Sequence, residues 1–153
     1  MKLVLDACVL YPTVMREVLL AVAGEGLFRP VWSARLLEEW ARAAEKLGPA
    51  GRPQAEAEIA LLRADWPDAE LPPAPGLERR LWLPDPADIH VLAVAIAGSC
   101  DGIVTMNAAD FPKNILAEEG LERIDPDQLL RRLWQEHPDV VARAAERVLA
   151  RAQ

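Results

Sequence analysis

The chain has 153 residues, 52% of them hydrophobic, and it carries a formal net charge of −7. This is enough apolar material to fold as one domain without a disulfide or a structural metal. The acidic balance excludes a protein that coats nucleic acid through bulk charge, but it permits an enzyme that holds nucleic acid through a metal ion. No apolar run approaches the roughly 20 residues of a membrane-spanning helix, and the first residues do not form a signal peptide. We therefore expect a cytoplasmic protein without membrane contact.

The first half of the chain begins with a strand and continues with helices. The apolar run Lys2–Leu5 predicts a buried strand that ends at the first acidic residue. Helices are predicted over residues 14–23 and 54–64, and another begins after Ser33, a residue type that favours the N-cap position. Residues 27–32 are apolar but contain a proline, and we assign no element to them.

The second half opens with a proline-rich stretch, residues 65–84, which we interpret as a surface connection within one domain. A helix is predicted from Asp85 or Pro86 to about residue 97. The remaining predicted elements are a strand at residues 102–105, a loop at 107–113, a strand at 121–124, and helices that end near 135 and 150.

Strands that alternate with helices predict right-handed crossovers and a mostly parallel sheet. We therefore expect an α/β fold, a three-layer α/β/α sandwich. Ligands of such sheets bind beyond the carboxyl ends of the strands. Asp6 follows the first strand, Asp110 lies shortly after the strand at 102–105, and Asp88 lies in the first turn of the intervening helix.

Glu39, in the middle of the second predicted helix, makes a fourth candidate with these three aspartates. Clustered carboxylates repel one another, and a divalent cation removes that cost. The chain has two His and two distant Cys, so oxygen ligands for Mg²⁺ or Mn²⁺ are favoured over a zinc site. A water bound to such a metal can attack a phosphodiester bond.

Four stretches give the chain its resemblance to PIN-domain proteins, in particular to small VapC-like toxin ribonucleases. They are LDACVL at residues 5–10, SARLLEE at 33–39, LPDPADIHVLAVAIA at 83–97 and DGIVTMNAADFP at 101–112. Their order and spacing extend the resemblance over about residues 1–126. We accordingly expect a PIN domain at 1–126, with residues 127–153 as a helical extension packed on the same domain.

The resemblance implies a metal-dependent endoribonuclease that uses Mg²⁺ or Mn²⁺. Asp6 and Asp88 would then ligate the metal directly, and Glu39 would ligate it or orient its water. Asp110 would serve a second metal position or act through water. Small proteins of this kind are commonly toxins of type II toxin–antitoxin pairs, so RNA, a cognate antitoxin and a second copy of the chain are the expected partners.

Residues around these acids have supporting roles by the same resemblance. Thr105 would hold the site by hydrogen bonding, and Asn107 would accept from a metal-bound water or position a phosphate. Arg16 is a candidate substrate contact, with an ion-paired arginine as the alternative. Cys8 stands where many PIN domains have Asn or Ser, which removes a hydrogen-bonding side chain from the site. Asn107 stands where many have Asp, which removes one negative charge.

Several residues near the motifs have a plainer interpretation. The buried face of its helix favours Glu39 over Glu38 as the site residue. Asp85 is favoured as a helix cap over a ligand, and His90 as a structural residue over a general base. The five tryptophans could stack bases but are dispersed in the sequence, which favours core or interface positions.

Three other function classes are weighed against a nuclease. A PIN-like module that binds RNA or protein with weak or no catalysis is the main alternative. An aspartyl phosphatase requires a second Asp at the position of Cys8, and a dinucleotide-binding enzyme requires glycines that are missing from residues 7–12. Both features argue against these two classes.

Overall fold

A computed structural model describes residues 1–152 of the chain, and Gln153 lies outside the described residues. Five strands form one sheet in which all pairings are parallel, in the order β3-β2-β1-β4-β5. The strands are β1 (Lys2–Leu5), β2 (Arg29–Ser33), β3 (Glu70–Leu71), β4 (Gly102–Val104) and β5 (Glu122–Ile124). This arrangement confirms the predicted three-layer α/β/α sandwich with a parallel central sheet.

Helices connect the strands and cover the sheet. They are α1 (Ala7–Leu10), α2 (Thr13–Gly24), α3 (Ala34–Ala44), α4 (Gly51–Asp65), α5 (Pro75–Glu78), α6 (Ile89–Ala97), α7 (Lys113–Glu118), α8 (Pro126–Glu136) and α9 (Pro138–Ala152). Short 3₁₀ turns lie at Glu45–Leu47, Pro86–Asp88 and Ala108–Asp110. None of the helices within residues 1–152 is long and apolar enough to cross a membrane.

Strand β1 lies in the middle of the sheet, and its consecutive residues Leu3, Val4 and Leu5 are fully buried. Consecutive burial means that helices cover both faces of the strand, which explains why its sequence is continuously apolar instead of alternating. The register pairs Leu5 of β1 with Val104 of β4. Asp6 and Thr105, the residues that follow these two, are therefore neighbours at the carboxyl edge of the sheet.

Strand β2 occupies the apolar segment to which the sequence assigned no element. Its amide groups point alternately to the two sides, so Arg29 donates to Met1 O on the β1 side and Trp32 to Ala69 O on the other. The missing N–H of Pro30 falls on the outer side, where pairing with β3 begins only at Trp32. The proline is tolerated there because it removes no sheet hydrogen bond.

Three short elements were missing from the prediction. The proline-rich segment 65–84, interpreted as a surface connection, includes strand β3 and helix α5, and helix α7 follows the predicted loop at 107–113. All three elements are short, and β3 has only two residues, so none produces a periodic pattern in the sequence.

The C-terminal helices pack on the rest of the chain. Asp125 and Gln128 form a capping box at the start of α8. Helix α9 contacts α2 and α8, with Ala144 and Val148 buried, and Arg147 forms an ion pair with Glu25. The division into a domain at 1–126 and an extension at 127–153 stays a prediction.

Candidate active site

Asp6 lies at the junction between β1 and α1, where it caps the helix. Its carboxylate accepts hydrogen bonds from the amide of Ala7 at Oδ1 (2.8 Å) and from the hydroxyl of Thr105 at Oδ2 (2.8 Å). Only 4% of Asp6 is exposed. Burial raises the pKa of this carboxyl group, and the hydrogen bonds from Thr105 and Cys8 oppose that rise. The side chain is thus fixed in orientation before any ligand binds.

Cys8 is part of this network, although the sequence suggested that a cysteine there removes hydrogen bonding. Its thiol donates to Asp6 Oδ2 over 3.4 Å and accepts from the amide of Met106 over 3.4 Å. Burial, followed by the negative charge of Asp6, raises the pKa of Cys8 to about 11. The sulfur therefore stays a neutral thiol at pH 7 and can serve as a donor to the carboxylate.

Thr105 connects the two strand ends. Its hydroxyl donates to Asp6 and accepts from the backbone amide of Asn107 over 3.0 Å. Thr105 is buried, whereas Asn107 is exposed and precedes the 3₁₀ turn that contains Asp110. The contribution of Asn107 found here comes from its backbone, so a role for its side chain at a metal-bound water stays a prediction.

Asp88 is the last residue of the 3₁₀ turn that Asp85 caps, and it directly precedes α6. The carboxylate of Asp85 accepts from the amide of Ala87 over 2.9 Å, which is the capping role that the sequence favoured. Within residues 1–152, the side chain of Asp88 itself makes no capping hydrogen bond. It is half-buried and free to face a ligand.

Burial and several neighbouring acids affect the pKa of Asp88. Burial is the largest cause of its rise to about 6, and negative charge on Asp6, Asp110, Asp85 and Glu39 adds to it. Glu39 also contributes to the raised pKa of Asp6. Asp88 thus lies within electrostatic reach of Asp6, Asp110, Asp85 and Glu39.

Glu38 and Glu39 are adjacent on α3 but have different environments. Glu39 Oε1 lies 2.6 Å from His90 Nε2, while both carboxylate oxygens of Glu38 accept from Arg52 over 2.9 Å. Glu38 is therefore engaged on the outer surface, and Glu39 faces the acidic cluster. The amide of Leu36 donates to Ser33 Oγ, the N-cap that sets the position of this helix.

Arg123 holds the turn that carries Asp110, a role that the sequence did not reveal. Its guanidinium donates to Ala108 O over 3.0 Å and to Phe111 O over 3.1 Å. Arg123 belongs to β5, which pairs with β4, so it reaches the loop that follows the neighbouring strand. Only the strand order brings these residues together.

Arg16 lies in the interior, which disfavours its predicted role as a substrate contact. It is 6% exposed and donates to Leu10 O (2.6 Å), Tyr11 O (3.2 Å) and Glu58 (3.2 Å). Its guanidinium also lies 4.4 Å from the centre of the Trp40 ring. These contacts favour the ion-paired alternative.

Within residues 1–152, no group of three or more His, Cys, Asp or Glu side chains is arranged to enclose a metal ion. The donor set consists of carboxylates that repel one another, which suits a hard divalent cation. Mg²⁺ characteristically keeps several water ligands and needs only one or two carboxylates, so its binding does not require an enclosing group of this kind.

A sequence-family comparison identifies this architecture. The PIN domain family matches residues 2–109, more than two thirds of the chain. The chain belongs to the PIN-domain family. PIN domains are generally metal-dependent nucleases that use divalent cations. The matched region contains Asp6, Glu39 and Asp88 and ends one residue before Asp110. No curated protein and no solved structure matches this PIN domain.

Proposed function

We propose that this PIN domain is an endoribonuclease that hydrolyses RNA phosphodiester bonds with the help of Mg²⁺ or Mn²⁺. The observation that supports the proposal best is the coupling of Asp88 to Asp6, Glu39 and Asp110, which with burial raises its pKa to about 6. Repulsion of this kind is relieved when a cation binds.

In this proposal the metal is held by Asp6 and Asp88 directly. Glu39 ligates it or orients its water, and Asp110 acts through a water molecule. A bound divalent cation would lower the pKa of its water and stabilise charge on the phosphate oxygens. Thr105 and the amide of Ala7 keep the carboxylate of Asp6 turned toward the site.

The biological role that we propose is that of the toxin in a type II toxin–antitoxin pair, acting on RNA in the cytoplasm. A cognate antitoxin and a homodimer are the partners that this role requires. Exposed apolar side chains on α2 and α4, Val14 at 69% and Leu61 at 66%, offer contact surface for such partners.

Cleavage of single-stranded RNA in the presence of Mn²⁺ tests the proposed activity. We expect the wild type to cut and Asp6→Asn to lose activity on the order of 100-fold or more, because one direct ligand is removed. Asparagine keeps the N-cap function, so the fold should persist. Glu38→Gln, a charge change one residue from the site acid Glu39, is the matched control and should cut like the wild type. Equal cleavage by wild type and Asp6→Asn would rule out the proposed site.

A PIN-like module that binds RNA or protein without cutting it is the second candidate. Two observations favour it: residues 1–152 contain no group of three or more His, Cys, Asp or Glu side chains arranged to hold a metal ion, and Asn107 stands where many PIN domains have Asp. Calorimetric titration with Mn²⁺ separates the two candidates, since the nuclease needs a metal that the module does not. RNA binding without detectable Mn²⁺ binding would favour the module.

A further inference from the structure

His90 makes a direct contact with Glu39, one of the proposed site acids. Its Nε2 atom lies 2.6 Å from Oε1 of Glu39, although the two residues are 51 positions apart in the chain. The side chain of His90 is 3% exposed and that of Glu39 is 31% exposed. The contact therefore joins a buried imidazole to a carboxylate that reaches toward solvent.

The partners of the imidazole indicate which nitrogen carries the proton. An ionised carboxylate only accepts hydrogen bonds, so Nε2 must donate its N–H to Glu39. The other ring nitrogen of His90, Nδ1, is buried, and residues 1–152 provide no hydrogen-bond partner for it. A hydrogen on Nε2 pairs that nitrogen with Glu39, and Nδ1 stays the one ring nitrogen without a partner.

A purely structural role explains this arrangement poorly. An imidazole that is buried with one nitrogen unpartnered is less favourable for stability than an apolar side chain of similar size. The compensating feature is the short hydrogen bond to Glu39. A long glutamate side chain at a partly exposed position otherwise samples many rotamers.

The position of His90 also links two site acids. Asp88 precedes α6 and His90 is its second residue, so one helix start presents Asp88 and holds Glu39 of α3. The hydrogen bond occupies Oε1, and among the described residues Oε2 has no hydrogen-bond partner. This second oxygen is available to a metal ion or to its water.

We infer that His90 is a positioning residue that donates Nε2–H to Glu39 and aims its free carboxylate oxygen into the metal site. The inference rests on the proposed metal-dependent activity. Hydrogen-bond partners of this type fix the orientation of metal ligands, and their removal typically costs about 10–100-fold in metal affinity or activity.

Substitutions of His90 test the inference by separating metal binding from folding. His90→Leu removes the donor and the unpaired nitrogen together. We expect Mn²⁺ binding to weaken by about 10–100-fold in calorimetry. The Mn²⁺ concentration for half-maximal RNA cleavage should rise in parallel. The melting temperature of the metal-free protein should stay equal or increase, whereas a structural role predicts that it falls.

His90→Gln and His90→Asn form a matched pair that keeps the test decisive if the leucine variant does not fold. The glutamine amide reaches about as far as Nε2, and the asparagine amide does not. We expect Gln to restore most of the Mn²⁺ affinity and Asn to restore little. Equal Mn²⁺ affinity and equal RNA cleavage in the wild type, His90→Leu and His90→Asn would overturn the role of His90 and leave the proposed function intact. A wild type that binds no Mn²⁺ would overturn the proposed function, and this role with it.

Discussion

Two acidic clusters lie side by side in this PIN domain, and they are built in opposite ways. On the outer surface, Arg52 donates to Glu38 (2.9 Å), Glu45 (2.7 Å) and Glu56 (2.7 Å). The hydrogen bond from Arg52 is the main reason that the pKa of Glu38 is lowered. The protein itself supplies the cation that this surface cluster needs.

The site cluster contains acids that lack such a partner. The pKa values of Asp6 and Asp88 are raised, and among residues 1–152 no arginine or lysine forms an ion pair with either. Glu39 of this cluster is the direct neighbour of Glu38 in the surface cluster. The two clusters thus differ in their partners: the surface glutamates have Arg52 within hydrogen-bond distance, and Asp6 and Asp88 have no arginine or lysine partner among residues 1–152.

Removal of a site acid should have the largest effect. We expect Asp88→Asn to reduce RNA cleavage on the order of 100–1,000-fold, because a direct ligand of the proposed metal is lost. The metal-free variant should melt at a higher temperature than the wild type, since the repulsion is also removed. Cleavage assays and thermal melts measure the two effects. Two results together would contradict the proposed repulsion: a lower melting temperature for Asp88→Asn than for the wild type, and no increase in the wild-type melting temperature on addition of Mn²⁺.

The pH dependence of stability should have opposite signs in the two clusters. The pKa of Asp88 is 3.8 in its ordinary state and about 6 in the folded protein. The folded state therefore binds more protons between these values, and its free energy of unfolding rises as pH falls through about 6. Glu38 contributes stability above its ordinary pKa of 4.5, and that contribution is lost as pH falls through its lowered folded value.

We accordingly expect the metal-free protein to melt at a higher temperature at pH 5 than at pH 7. Asp6 adds to the rise, because its pKa is raised as well. Asp88→Asn should reduce the rise, and saturating Mn²⁺ at pH 7 should remove most of the difference. Thermal melts from pH 4 to 8 provide the measurement, and a wild type that melts lower at pH 5 would contradict this assignment.

Disruption of the surface cluster should have the smallest effect. Arg52→Ala leaves three glutamates without their common partner, yet these groups are exposed and water screens them. We expect a slight decrease in melting temperature and unchanged RNA cleavage. Reduced Mn²⁺ affinity in Arg52→Ala would show that the two clusters are coupled through α3.

The features predictable from the sequence were those that local patterns determine. Strand β1 follows from a continuous apolar run, and Ser33 together with the apolar face of α3 selects Glu39 over Glu38. The contacts of His90 with Glu39 and of Arg123 with the Asp110 turn were not predictable. They depend on strand order and helix packing, which bring together residues distant in the sequence. The ion pair of Arg16 was not predictable for the same reason, because its partner Glu58 belongs to another helix.

The outer strands of the sheet have a consequence for behaviour at high concentration. The sheet ends in β3, with two residues, on one side and in β5, with three residues, on the other. Edges this short present few unpaired amide and carbonyl groups to another chain. Strand β1, whose residues Leu3, Val4 and Leu5 are fully buried, is enclosed between neighbours on both sides. The native protein therefore resists edge-to-edge aggregation, and a variant that frays β3 or β5 would be the first to precipitate.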